Sequence, residues 1–225
     1  MRSRAICRHC WGRSGSSCWA IPGARCWGRG WWPAGPGITR ATSAGQQVDT
    51  EAGIAVTLAR LAPLIRAQGS AADRRWLDTA TPEALLEHAA YVRMMRILDA
   101  YGGGMNVPTW RLAWMLLRAP EYSLGDLWRW LDGANRGSGP MWPDYRSRDL
   151  RIEVPVMPVP MLLISGARDL NTPVELAAEW FAAVDAPRGK RHLVFEDAGH
   201  APFLTEPDRF ARVLRAFALP SGAAR

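Results

Sequence analysis

The chain has 225 residues, 48% hydrophobic and 22% charged, so it can bury a core as one domain with a subdomain. It contains no run of about 18 apolar residues, and its basic start lacks an apolar signal core, so we expect no transmembrane helix, no secretory signal and a cytoplasmic location. The net charge of +7 comes from residues 1–44, which hold seven arginines and no acid, and the rest is balanced at 21 basic and 21 acidic residues.

Residues 1–44 differ in composition from the rest of the chain, since they contain all four cysteines and five of the twelve tryptophans. Cys7-x-x-Cys10, with Cys18 and Cys26, provides thiolates of the kind that bind zinc, but the second half lacks a paired Cys-x-x-Cys, so we predict no metal site. Arginine and tryptophan also suit nucleic acid or a membrane surface. Because glycines and prolines interrupt any amphipathic helix here, we expect neither partner.

Residues 45–150 have mainly helical patterns. Apolar residues at helical spacing, among them Ile54, Leu61 and Ile65, predict a helix over 51–66. Thr81, with Pro82 at the first helical position, predicts a helix through about Leu98 that ends at the glycines 102–104.

A tryptophan-rich stretch follows the glycines. Trp110 and Trp114 stand at i and i+4, a spacing that favours a place in the core over a ligand site. Ser123-x-x-Asp126 predicts the start of a helix that carries Trp128 and Trp130.

Residues 151–225 alternate between strand and helix patterns. PVPMLLISG is an apolar run ended by glycine, which predicts a strand buried on both faces, and HLVFE predicts a second strand. Thr172-Pro173-Val174-Glu175 has the pattern of a capping box that opens a helix, and PDRFARVLRAFA predicts the last helix. This alternation predicts an α/β fold with a parallel sheet and crossover helices.

Asp169 and His200 follow the two predicted strands, at the sheet edge where ligands of open α/β sheets bind. Each residue alone has an ordinary explanation, Asp169 as a turn residue and His200 as a hydrogen-bonded loop histidine. Together they have the arrangement by which an acyl-transfer site supplies a base and its orienting acid: imidazole takes a proton from the nucleophile, and carboxylate fixes the imidazole tautomer.

The segments PMLLISGARDLNTPVELAAEWFAAV and HLVFEDAGHAPFLTEPDRFARVL resemble the acid loop and histidine loop of the α/β-hydrolase family, most closely its proline iminopeptidase-like branch. The resemblance covers roughly residues 45–219. It implies an incomplete α/β-hydrolase sheet with a helical cap, Asp169 as triad acid, His200 as general base, and serine-type hydrolysis of a small acyl or prolyl-peptide substrate without a cofactor. Glu83, Glu87 and Glu121 stay open as partners for a substrate amine.

The nucleophile of that family lies in G-x-S-x-G, and the chain contains no such pentapeptide. One coding of LLGHSWGSVLG, a family-like elbow, translates from its second base as CWAIPGARCWG, which is residues 18–28 letter for letter. We therefore expect 1–44 to be an out-of-frame or disordered segment, 45–150 the start of the core with the cap, and 151–225 the rest of the core. The serine is then absent and the chain inactive; the alternative is a non-catalytic binding module that retains the cap pocket.

Overall fold

The computed structural model describes residues 16–20, 38–126, 128, 129, 133 and 139–218. Its sheet has four strands, β1 (Ser16–Ala20), β2 (Ile38–Ala44), β3 (Met161–Gly166) and β4 (Lys190–Phe195), in that spatial order. Every neighbouring pair is parallel. The prediction of a parallel sheet is confirmed.

Strand β3 is a central strand, and every one of its residues is buried. On one face, Met161 and Leu163 pack in a cluster with Leu176 and Trp180. On the other face, Leu162 and Ile164 pack with Phe195 and with partly buried side chains of the last helix. Helices cover both faces of this strand, and this cover is the reason that apolar residues stand at successive positions.

Six α-helices with both ends described precede β3, and residues 124–126, 128, 129 and 133 are also helical. The predicted helix 51–66 is confirmed as α1, whose N-cap Asp49 accepts the Ala52 N–H. The six helices are α1 (Thr50–Gln68), α2 (Ala71–Leu77), α3 (His88–Ala100), α4 (Thr109–Arg118), α5 (Trp142–Arg146) and α6 (Leu150–Glu153).

The helix predicted from Thr81 to Leu98 begins later than expected. Thr81 does accept the Ala84 N–H, but it opens only the 3₁₀ turn Ala84–Leu86. The chain is then extended at Glu87, and α3 begins at the next residue. Because of this break, Leu85 packs into the cluster formed by α1 and α3 and is 1% exposed. Tertiary burial of this leucine thus outweighs the helical propensity of residues 81–87.

The prediction that Trp110 and Trp114 belong to the core is wrong. Their exposed fractions are 71% and 54%, and Trp128 is 70% exposed. The Ser123–Asp126 start is confirmed, because each side chain bonds the other residue's backbone N–H. Helical spacing establishes which residues share a face of a helix, whereas the neighbouring elements decide whether that face is covered.

The elements after β3 include the predicted helix, strand and last helix in the predicted order, and also a short helix, Pro202–Thr205, that the sequence pattern does not predict. They are α7 (Val174–Ala183), β4, α8 (Pro202–Thr205) and α9 (Pro207–Ala218). The capping box predicted at Thr172 is wrong: Pro173 occupies the N-cap position of α7 and provides no side-chain bond. The Thr172 hydroxyl instead bonds Asp169.

The boundary predicted at residue 44 coincides with the end of β2, which pairs with β3 from Ala41 to Ala44. The division into 1–44, 45–150 and 151–225 stays a prediction. Over the described part of the chain, no helix combines the length and apolarity that crossing a membrane requires.

Candidate active site

Asp169 and His200 lie together beyond the carboxyl ends of β3 and β4. His200 Nδ1 is 3.0 Å from Asp169 Oδ2. Asp169 is fully buried and His200 is 8% exposed. Because β3 and β4 are adjacent and parallel, the loops that leave them meet at one edge of the sheet, as the sequence pattern predicts.

The Asp169 carboxylate is surrounded by hydrogen-bond donors. Oδ1 accepts the backbone N–H groups of Asn171 at 2.8 Å and Thr172 at 2.9 Å. Oδ2 accepts the Thr172 hydroxyl at 2.6 Å and faces the His200 ring. These donors replace the water that the buried carboxylate has lost and hold Oδ2 toward the imidazole.

This geometry determines which tautomer of His200 is useful. A carboxylate at Nδ1 accepts a hydrogen bond from Nδ1–H, so the neutral ring has its free lone pair at Nε2. This tautomer is assigned from the hydrogen-bond network. A ring oriented in this way can accept a proton at Nε2 while the carboxylate stabilises the resulting imidazolium.

Two residues of helix α1, one turn apart, hold the loop that contains Asp169. The Thr57 hydroxyl donates to the Leu170 carbonyl at 2.6 Å in a buried bond. Arg60 donates to the Ala167 carbonyl at 2.9 Å and pairs with Glu175 at 3.2 Å. The helix thus fixes the backbone on both sides of Asp169.

The loop after α3 joins the acid and histidine loops. The Gly103 carbonyl accepts the Leu170 N–H at 2.8 Å, and the Gly104 carbonyl accepts the His200 N–H at 2.8 Å. A side chain at Gly103 would bring its Cβ within 2.4 Å of the Leu170 side chain, so this approach needs glycine. The backbone around the pair is therefore held by three segments distant in sequence.

An aromatic cluster lies between α3 and α5. The Trp142 ring is 4.4 Å from that of Tyr91 and 5.9 Å from that of Tyr145, and its Nε1–H donates to the Leu86 carbonyl. Burial raises the pKa of Tyr91 well above its usual value, and Tyr145 and Asp169 add to the effect. Burial also raises the pKa of Tyr145 to about 12, opposed by its hydrogen bond with Tyr91 and reinforced by Asp169. With these raised pKa values, both phenols keep their protons at neutral pH.

Away from this edge of the sheet, a serine and a histidine of neighbouring strands are also in contact. His192 Nε2 is 3.0 Å from Ser165 Oγ, and the imidazole packs against Phe181. Burial lowers the pKa of His192. Ser165 is only 1% exposed, so its hydroxyl satisfies a core histidine and is not accessible to a substrate.

The three candidate partners for a substrate amine, Glu83, Glu87 and Glu121, are all exposed. Their role stays a prediction. Of the predicted location of the missing elbow, residues 18–20 lie in β1, whereas residues 21–28 lie outside the described residues, as do Cys7, Cys10 and Cys26.

Sequence reasoning missed several residues that position the pair. Thr172 stands three residues after Asp169, a spacing at which side chains commonly bond within a turn, and this signal could have identified it. Thr57 and Arg60 carry no local signal, because their partners lie more than 100 residues away. Gly45, which contacts the His200 ring, also had no signal.

No protein-family model matches the chain. A probable aminopeptidase YbaC of Bacillus subtilis is 29% identical over 99 residues, 44% of this chain and 31% of the relative. A pimeloyl-[acyl-carrier protein] methyl ester esterase of Vibrio vulnificus is 36% identical over 70 residues, 31% of this chain and 26% of the relative. The matched part is therefore about a third or less of each of these relatives.

Among solved structures, that of VinJ aligns with a TM-score of 0.50 and 18% identity, covering 81% of this chain and 57% of VinJ. A proline iminopeptidase of Mycobacterium smegmatis aligns with a TM-score of 0.48 and 17% identity, covering 81% of this chain and 57% of that chain. At these identities the likeness concerns the fold alone.

Proposed function

We propose that this chain, which has an incomplete α/β-hydrolase fold, derives from a serine-type hydrolase of the proline iminopeptidase-like branch and is itself inactive. The observation that carries the proposal is the buried Asp169–His200 pair, with Oδ2 and Nδ1 3.0 Å apart beyond two adjacent parallel strands. A structural histidine needs only one hydrogen-bond partner. Here a fully buried carboxylate, itself bonded by three further donors, is directed at Nδ1.

In the ancestral reaction, His200 Nε2 accepts the proton of a serine hydroxyl as the serine oxygen forms a bond to the acyl carbon. Asp169 stabilises the imidazolium, which then gives the same proton to the leaving amine or alcohol. Water then attacks the acyl-enzyme: His200 Nε2 accepts a proton from the water and gives it to the serine oxygen as the acyl product leaves.

The present chain has no residue for the first of these steps. None of its serines lies in G-x-S-x-G. Residues 18–28 match, letter for letter, a family-like elbow read one base out of register. We attribute the loss to a shift of reading frame across residues 1–44. Removal of a triad nucleophile lowers turnover by several orders of magnitude.

The proposed substrate class is a small acyl or prolyl-peptide compound. It is supported by the similarity of part of the chain to a probable aminopeptidase and to a methyl ester esterase. Tyr91, Trp142 and Tyr145 form an aromatic cluster, and burial, reinforced by the charge of Asp169, raises the pKa of both tyrosines. Such a cluster suits an apolar acyl group with a polar end.

A fluorophosphonate probe tests the proposal, because it labels only an activated serine. We expect the present chain to remain unlabelled, and a chain expressed with the frame restored over 1–44 to be labelled. The restored chain with His200→Ala serves as the control and should lose the label. Turnover of an ester or prolyl amide by the present chain, abolished by His200→Ala, would contradict inactivity, and an alternate frame without G-x-S-x-G codons would contradict the frameshift.

A non-catalytic binding module is the second candidate. It is favoured by the buried pair and the aromatic cluster being intact in a chain that lacks the serine motif. Thermal unfolding in the presence of proline amides and short acyl esters distinguishes the two: a saturable rise in Tm without turnover supports binding.

A further inference from the structure

Gly45 lies against the face of the His200 imidazole. It follows β2 directly and has a φ of +62°, a conformation that L side chains rarely adopt. A Cβ at this position would lie 2.8 Å from His200 Cε1, 2.9 Å from Nδ1 and 3.0 Å from the His200 carbonyl oxygen. The two distances to the ring are shorter than the 3.0 Å below which one of the groups has to move.

The imidazole has little freedom to retreat from such a side chain. Its Nδ1 is 3.0 Å from Asp169 Oδ2 and 3.2 Å from the Thr172 hydroxyl. Its backbone N–H is bonded to the Gly104 carbonyl at 2.8 Å. A shift of the ring away from Gly45 therefore changes the distance to the carboxylate that orients it.

The Gly45 backbone is held as firmly as the ring. Its N–H donates to the Ile164 carbonyl of β3 at 3.1 Å, which continues the pairing of β2 with β3. The next residue, Gln46, is 5% exposed, and its side-chain carbonyl accepts the Ser43 hydroxyl at 2.6 Å. Any side chain at position 45 must therefore displace the imidazole.

We infer that Gly45 is a positioning residue for His200: the missing side chain at the end of β2 leaves the space in which the imidazole meets Asp169. The role rests on the proposed function of His200 as a base. The contact itself is a property of the present chain and is measurable without turnover. His200 is thus positioned by the residue that follows β2, although β2 itself contributes no acid, base or nucleophile to the site.

Gly189 offers a matched control for the backbone conformation. It also has a positive φ, +94°, but a Cβ there would have no atom within 4 Å. Alanine at either position adds the strain of the left-handed conformation. Only alanine at position 45 also meets the ring.

The experiment is a double-mutant cycle on the present chain, measured by urea unfolding. Gly189→Ala should lower the folding equilibrium constant about tenfold from backbone strain alone. Gly45→Ala should lower it roughly a further tenfold or more, because the ring is displaced. When both substitutions are made in His200→Ala, Gly45→Ala should lower the folding equilibrium constant less than about threefold more than Gly189→Ala does.

An excess that persists without the imidazole would overturn the inference, since the cost would then come from the backbone. If Gly45→Ala does not fold, recovery of folding in Gly45→Ala/His200→Ala supports the inference. Failure of that double variant, while His200→Ala folds, refutes it.

Imidazole nitrogen NMR provides the readout for orientation. In the wild-type chain and in Gly189→Ala, the His200 Nδ1–H should be protected from exchange by Asp169. In Gly45→Ala this proton should exchange rapidly or be lost from the spectrum. An unchanged His200 signal in folded Gly45→Ala contradicts the positioning role. Because neither measurement uses catalysis, absence of hydrolase activity in a restored chain would leave this result unaffected.

Discussion

Replacing Thr172 by valine tests whether the side chain that was predicted to cap α7 instead supports the acid. Its hydroxyl donates to Asp169 Oδ2 at 2.6 Å and lies 3.2 Å from His200 Nδ1. Thr172 is 4% exposed and Asp169 is fully buried, so water cannot replace the lost donor. Valine has nearly the shape of threonine, so the substitution removes the hydrogen bond without opening a large cavity.

The expected cost follows from the charge and burial of the acceptor. A hydrogen bond to a charged group contributes about 1.5–3 kcal/mol to stability, against about 1 kcal/mol for a neutral pair. The carboxylate keeps two backbone donors on Oδ1, so its solvation is only partly lost. We therefore expect Thr172→Val to lower the free energy of unfolding by about 2 kcal/mol.

Urea unfolding of the wild-type chain, Thr172→Val and Thr172→Ser measures this difference. Thr172→Ser keeps the hydroxyl and should lose less than about 1 kcal/mol, which reflects one methyl group. The urea dependence of all three should be equal, since the surface exposed on unfolding does not change. A valine variant within about 0.5 kcal/mol of wild type would show that the hydroxyl does not support the carboxylate.

Three further predictions concern the surroundings of the pair. Thr57→Val should lower the free energy of unfolding by about 1–2 kcal/mol, because the Leu170 carbonyl loses its buried donor; Thr57→Ser is the control, and equal losses would contradict this. Burial raises the pKa of Tyr145 to about 12, so stability should decline as pH rises from about 10, where the unfolded chain releases its phenol protons, toward 12. Denaturation at several pH values should show a weaker decline for Tyr145→Phe, and an identical decline refutes the assignment. Trp142→Ala should cost about 3–5 kcal/mol, whereas the 71% exposed Trp110 should cost under about 0.5 kcal/mol on replacement by alanine; similar values would contradict the burial described.

The acid and the base are positioned by different means, which affects how each tolerates substitution. Asp169 is held by its own turn and by α1, through hydrogen bonds to side chains and backbone. His200 is held by close packing on Gly45 and by one backbone bond to Gly104. Substitution around the acid therefore removes attractive contacts, while substitution around the base introduces a clash.

The sequence by itself determined the two strands and the two longer helices after residue 160. A nearly continuous apolar run bounded by glycine specifies β3, since both faces of that strand are covered. Amphipathic spacing after Pro207 specifies α9. Parallel strands bring their carboxyl ends to one edge, so the meeting of Asp169 with His200 also follows from the order of these elements.

Only the tertiary structure decided what surrounds the pair. The Thr57 hydroxyl meets the Leu170 carbonyl 113 residues away, and the Gly45 backbone meets the His200 ring across β3. The exposure of Trp110 and the break before α3 likewise depend on which neighbours cover each surface. Periodicity and capping patterns describe interactions within a few residues. The support of Asp169 and His200 consists of contacts between segments that only the folded chain brings together.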